Sequence, residues 1–197
     1  MKQTFSFLLV ACICFLSCTG SKKKPDQPPV TVVPIEEVPD IVEVNGTIGD
    51  GTSMNMLELI KPDGDTVNIL ASSQMVMGGL LVGNQIDVVY SLVDETPVAQ
   101  LAINTTALQH LWSQQAADGH KQSLELGSRG RASTYGMTID YEHWNLQDGF
   151  LLLHSPRKPG EERPLQVDTF QIMLLTEDSL VLMDPNASIA SAFYRDN

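Results

Sequence analysis

Tyr141-Glu142-His143-Trp144-Asn145-Leu146-Gln147-Asp148-Gly149-Phe150-Leu151-Leu152-Leu153 reads as two strands folded about a two-residue turn. Asp148-Gly149 suits a tight hairpin, whose two central residues take positive φ. Ahead of the turn, Ile139 and Tyr141 share one parity, whereas Trp144 and Leu146 share the other. That change of phase near Glu142-His143 predicts a β-bulge, which bends a strand. Outward from the hairpin, Ser123–Leu126, Arg131–Tyr135, Ile139–Leu146, Phe150–His154, Val167–Leu175 and Ser179–Met183 read as strands. Leu108–Gln115 reads as a short helix or the start of a strand, with Trp112 buried. Arg157–Arg163, beside Pro156, Pro159 and Pro164, reads as an exposed loop.

The preceding segment has the same texture. Ile41–Gly49, Ser53–Ile60 and Thr66–Leu70 read as strands, with Lys61-Pro62-Asp63-Gly64-Asp65 as a hairpin signal between the last two. Ile86, Val88, Tyr90 and Leu92 alternate with their neighbours, and Ala99, Leu101 and Ile103 repeat the pattern. Between them, 71–83 has room for a short helix ahead of Gly78-Gly79. Five strands with an insert between the third and fourth is the order of an OB-type barrel. The chain is therefore read as all-β, with an OB-like domain at 41–107 followed by a second antiparallel β domain at 108–197.

The N-terminus is of another kind. Lys2 precedes an apolar run, Phe5–Leu16, that is too short to span a bilayer and ends at Ser17-Cys18. This resembles a bacterial lipoprotein signal, with Phe15 where that family prefers leucine. The resemblance implies a signal peptide at 1–17, cleavage before Cys18 and a diacylglycerol on its sulfur. Cys12 and Cys14 then leave with the signal, and the mature chain keeps no free thiol and no disulfide. Thiolate zinc sites, CxxC redox chemistry and cysteine nucleophiles are excluded on that reading. Residues 18–40 carry Lys22-Lys23-Lys24 and then Pro25, Pro28, Pro29, Pro34 and Pro39, the composition of an extended tether. At about 3.1 Å per residue it would reach roughly 65 Å. Basic rather than acidic residues follow the cysteine, which favours an outer-membrane anchor facing the periplasm.

The formal net charge is −12. Within 41–107 Lys61 is the sole basic residue among eight acidic ones. Such a surface repels phosphate backbones, so nucleic acid is not an expected partner.

Two resemblances refine the picture. Asn45-Gly46-Thr47-Ile48-Gly49-Asp50-Gly51-Thr52-Ser53-Met54-Asn55-Met56-Leu57-Glu58-Leu59-Ile60, with Pro62-Asp63-Gly64-Asp65-Thr66, resembles the OB-like domains of envelope lipoproteins related to the stress sensor NlpE. The second rests on four blocks in order. They are Trp112, then 124–134 (from Leu124-Glu125-Leu126-Gly127 to Ala132-Ser133-Thr134), then 141–153, then 168–182 (from Asp168-Thr169-Phe170 to Leu182). Together they resemble the lipocalin-like domain of Bacteroides-type lipoproteins. Thr134-Tyr135-Gly136 stands where that family usually has Ser-Ile-Asn. The resemblance implies a small up-and-down barrel, incomplete beside an eight-stranded lipocalin, and supplies no catalytic residues. Trp112, Tyr141, Trp144, Phe150 and Phe170 are its candidate lining residues, for a small apolar ligand. A partner protein in the envelope is the other occupant considered.

No catalytic constellation is legible. His110, His120, His143 and His154 lack zincin spacing, and no Gly-x-Ser-x-Gly elbow occurs. Glu142 and His143, adjacent on a strand, are expected to face opposite sides. Asp94-Glu95, Glu161-Glu162 and Glu177-Asp178 read as solvated corners, and Asp63-Gly64-Asp65 lacks the further ligands of a calcium loop. The chain is thus read as a non-enzymatic binding protein without a cofactor. The alternative is an envelope-stress or copper sensor using Met54, Met56, Met75 and Met77, since thioethers select Cu(I). Core filling is the commoner use of such methionines.

Cys18→Ala is expected to abolish acylation and release the protein from membranes, read by labelled palmitate and fractionation. Retained acylation would refute the lipoprotein reading.

Overall fold

The structure, a computed structural model, describes residues 40–156 and 166–196. The signal, Cys12, Cys14, Cys18, the tether up to Pro39 and the loop at 157–165, with Glu161-Glu162, lie outside the described residues.

Short alternating segments separated by turn residues form two barrels. The first contains β1 (Ile41–Ile48), β2 (Met56–Ile60), β3 (Thr66–Leu70), β4 (Val76–Met77), β5 (Gln85–Val93) and β6 (Thr96–Asn104). β1 pairs with β5 from Ile41↔Ser91 to Thr47↔Gln85, and with β2 at Thr47↔Ile60 and Ile48↔Leu59. Gly46 makes this dual pairing possible, because a Cβ there would lie 2.4 Å from the Ile60 carbonyl oxygen. A parallel contact, Leu70↔Val98, joins β3 to β6 and closes five strands in the OB order, with β4 added along β6. The expected helix in 71–83 is only a 3₁₀ turn, Ser73–Met75, followed by β4. Ile48, Leu57, Leu59, Ile69, Ile86, Val88 and Ala102 fill this barrel.

A four-residue helix, α1 (Thr105–Leu108), leads into the second barrel. Its strands are β7 (Leu111–Gln115), β8 (Lys121–Leu126), β9 (Ala132–Tyr135), β10 (His143–Gln147), β11 (Phe150–His154), β12 (Val167–Leu175), β13 (Ser179–Asp184) and β14 (Ile189–Arg195). Each pairs antiparallel with the next, except that β9 meets β10 only through the Arg131↔His143 bridge and the Ala132 N–H bond to the Glu142 carbonyl. The Asp148-Gly149 hairpin is present, with φ of 52° and 77°.

Two expectations are corrected here. The barrel is not short of strands: β14 pairs with β7 at Tyr194↔Ser113 and Arg195↔Trp112 and brings the count to eight. The bulge is not near Glu142-His143, because β10 begins only at His143. It lies instead in β12, between Ile172 and Leu174, where the inward parity passes from Phe170 and Ile172 to Leu175.

The barrels share a seam within one compact unit, Val38–Asn197. β4 and β6 run parallel, with Val76↔Ala102 and Met77↔Ile103. Strand alternation sends Val76 and Ala102 to the first core and Met77 and Ile103 to the second. Leu101 and Ala107 also pack on the second core. A fully buried Ile103 contributes about 2–3 kcal/mol, so the first barrel supplies part of the floor of the second.

Asn104 fastens the seam and is 0% exposed. Its Nδ2 donates to the carbonyls of Gly78 (3.2 Å) and Gly79 (2.9 Å). Its Oδ1 accepts from the Ala107 N–H at 2.9 Å, which caps α1, and from Asn84 Nδ2 at 3.4 Å. The Gly78 N–H in turn donates to the Leu175 carbonyl in the second barrel, at 3.0 Å. Gly78 has φ +81°, and a Cβ there would lie 2.9 Å from both Ala107 and Leu175 side-chain carbons.

Asn104→Ala leaves the Gly78 and Gly79 carbonyls and the cap N–H without this partner. It should cost about 2–4 kcal/mol in urea unfolding. A cost below about 0.5 kcal/mol would remove Asn104 from its role as the fastening.

Candidate functional site

The ladder pairs fix which side chains enter the eight-stranded barrel. Trp112 opposes Leu124, Leu146 opposes Leu151, Trp144 opposes Leu153, and Leu151 opposes Phe170. Opposed residues share a face, so all of these point inward. Trp112, Leu124, Trp144, Leu151, Leu153, Ile172, Leu182 and Phe193 belong to one buried cluster, and Phe170 and Leu146 pack against it. The two indoles are anchored by their N–H groups. Trp112 Nε1 donates to the Leu108 carbonyl at 2.8 Å, and Trp144 Nε1 to the Gly127 carbonyl at 2.9 Å.

The barrel's ends differ. At the floor, Ile103, Leu108, Leu175 and Leu180 are buried. The Asp148-Gly149 hairpin sits at this end, close enough that a Cβ on Gly149 would lie 2.6 Å from Leu101 Cδ2. At the other end the same inward parities carry Gln114, Gln122, Asp168, Asp184 and Ser191. The Gln114 and Gln122 amides bond each other at 3.1 Å. The interior therefore runs from an apolar floor to a polar mouth.

Tyr141 joins the two regions. It is 6% exposed, packs in the apolar cluster, and its hydroxyl donates to Asp168 Oδ2 at 2.6 Å. Burial holds this phenol well above the ordinary tyrosine range, helped by the bond to Asp168 and by the Asp168 and Asp184 charges.

The structure thus brings together Trp112, Tyr141, Trp144 and Phe170 from the expected set. Phe150 is the exception. It is next to fully buried Leu151 and on the opposite parity, so it faces outward with Leu152. Asp168, Asp184 and the two glutamines are additional interior groups. Their signal was a polar side chain on an inward parity, as with Asp168 beside Phe170 and Ile172.

The methionine pairs are divided by the fold. Met77 packs on the second barrel's core, and Met75 is 37% exposed. Met54 is 85% exposed, lining a surface cavity of about 360 Å³ with Ser73, Val76 and Leu80. Among the described residues, no three His, Cys, Asp or Glu side chains are grouped to hold a metal ion. His110 meets Trp112 edge-on at 5.8 Å, and His154 Nε2 lies 2.6 Å from Asn145 Oδ1. Glu142 and His143 do approach each other, to 3.8 Å, contrary to the expectation for strand neighbours, because Glu142 precedes β10. Away from the mouth, Asp87 on β5 is pushed up to about 7 by burial and then by the Glu43 charge, and its Oδ1 lacks a hydrogen-bond partner. β7 and β14 part beyond their two paired positions. The open cavity there, about 510 Å³, is lined by Ser113, Gln114, Gln115, Lys121, Ala192 and Tyr194.

Residues 104–195 match the model of the family described as Lipocalin-like. A solved lipocalin-like protein from Bacteroides thetaiotaomicron is similar at 26% identity, covering 46% of this chain and 97% of that one, with a TM-score of 0.38. No curated protein matches the chain. The C-terminal part, which contains the eight-stranded barrel, is lipocalin-like.

The fold favours the neutral Tyr141 phenol, so its stabilisation is present below the ordinary tyrosine value and fades as pH rises through it. In an alkaline titration of the four tyrosines, one phenol should stay protonated until the barrel unfolds. Tyr141→Phe should remove that phase and cost about 1–2 kcal/mol at neutral pH. An unchanged titration would contradict the assignment.

Proposed function

We propose that this chain is a non-enzymatic, lipid-anchored protein of the bacterial envelope whose C-terminal barrel binds a small apolar molecule carrying a polar end. The observation that supports this most is the interior gradient of the eight-stranded barrel, from Leu108 and Trp112 at the floor to Gln114, Asp168 and Asp184 at the mouth. An apolar body gains by leaving water, and a few placed polar groups orient the other end. The lipocalin-like match over 104–195 supports the same reading. The anchor is Cys18 in the outer membrane, facing the periplasm, with the proline-rich segment as a lead.

A partner protein is the second reading. Met54, Leu81 and Val82, which are 85%, 68% and 53% exposed, favour it. Singly exposed apolar residues are ordinary, but Met54 lines a cavity with Leu80, and Leu81 and Val82 follow Leu80 in the chain.

Native mass spectrometry of the protein taken from its own envelope should show a bound small molecule. In vitro, Nile red should bind the soluble 18–197 chain carrying Cys18→Ser and quench Trp112 or Trp144. Phe170→Glu should weaken that binding at least about tenfold, because it places a charge in the apolar interior. Phe150→Glu, on the outer face, should change it less than about twofold. Equal weakening by both would contradict the barrel site.

A further inference from the structure

The turn between β9 and β10 lies at the mouth end of the barrel, beside the start of β8. The Arg131↔His143 bridge and the Ala132–Glu142 bond set a hairpin register whose tip is Gly136–Thr138. Thr134 Oγ1 donates to Asp140 Oδ1 across it at 3.4 Å. From this tip Met137 packs inward against the core cluster. Gly136 lies against the turn between β7 and β8, with φ +67°, and a Cβ there would be 2.5 Å from the Lys121 carbonyl oxygen. Only glycine allows that approach.

His120 ties the two turns together. Its Nδ1 is within hydrogen-bond reach of Asp118 Oδ1, and its Nε2 lies 3.1 Å from the Gly136 carbonyl oxygen. Both ring nitrogens thus face acceptors, and Nε2 also has the Gln122 amide nitrogen, a donor, at 3.3 Å. A neutral imidazole has one N–H and can satisfy one of them, whereas the imidazolium satisfies both. When the proton leaves, the remaining N–H goes to the carboxylate, the stronger acceptor. Nε2 then faces a carbonyl oxygen with a lone pair, and the tie to the tip is lost.

Among the described residues the surrounding charges are few. Asp118 is on the same turn as His120. On β8, the Gln122 amide lies 3.3 Å from Nε2, Lys121 reaches Asp196, and Glu125 accepts from Tyr135. On the facing tip, Asp140 is engaged by Thr134. The bond to Asp118, then that to Gly136, holds the His120 proton more firmly than in an ordinary histidine. The tie is therefore present below the ordinary histidine range and is lost as pH rises through the raised value.

We propose that the Gly136–Thr138 turn is a lid on the mouth of the eight-stranded barrel and that the His120 imidazolium is its latch. The lid rests on the ligand reading above, since it regulates access to that same interior.

Stopped-flow association of Nile red with the 18–197 chain carrying Cys18→Ser tests it. The association rate should be about three- to tenfold slower at about pH 5.5 than at about pH 8.5. His120→Gln keeps a donor for Gly136 without a titrating proton, and its rate should not vary with pH. Asp118→Asn should fold normally and move the midpoint of the profile to lower pH. A wild-type rate independent of pH, or a pH profile that survives His120→Gln, overturns the latch while leaving the ligand reading intact. Absence of Nile red binding at both pH values, in wild type and variants alike, overturns both.

Discussion

One buried amide holds the structure to a single arrangement. Asn104 ends β6, caps α1 and satisfies the Gly78 and Gly79 carbonyls, all with the same four-atom group. A buried polar side chain is costly when unpaired and strongly specifying when fully paired. Each partner of Asn104 belongs to the region where one barrel becomes the next. If the amide is displaced, Gly78 keeps only its own N–H bond to Leu175, and the seam that seats Met77 and Ile103 on the second core is weakened.

That seam gives the second barrel its polarity. β4 and β6 each have two faces, and both faces are buried, one in each core. The second barrel therefore has a floor built partly from another barrel and a mouth left to its own turns. Apolar side chains gather where Ile103 and Leu108 close the end. Polar ones gather where the strands meet the turns at 116–120 and 185–188. Tyr141 spans the transition, with its ring in the cluster and its hydroxyl on Asp168. The side chains that would meet a ligand are thereby graded along the barrel axis by topology alone.

Much of this was legible in the residues. Asp148-Gly149 needs positive φ and marks its hairpin, and Ile86, Val88 and Tyr90 alternate as a half-buried strand does. Other features left no such trace. β14, Ile189–Arg195, buries only Phe193, while its large Ile189 and Tyr194 are exposed, so it lacks the alternation that reveals a strand. Phe150–Leu153 is apolar at every position, and its inward parity is decided by pairing with β10 and β12. The bulge in β12 hides in the similarly unbroken run Ile172-Met173-Leu174-Leu175. The shared seam was illegible for another reason: Val76-Met77 is two residues long, and its neighbour in space is 26 residues away in sequence. The His120–Gly136 contact likewise joins turns that local patterning treats as separate.

If the two barrels are one folding unit through this seam, they must lose structure together. Hydrogen exchange of the 18–197 chain through a urea series reads this directly, by comparing peptides from β2–β3 with peptides from β11–β12. A single shared transition, shifted equally for both sets by Asn104→Ala, is the predicted result. Two separate midpoints, with Asn104→Ala moving only the first barrel, would contradict it.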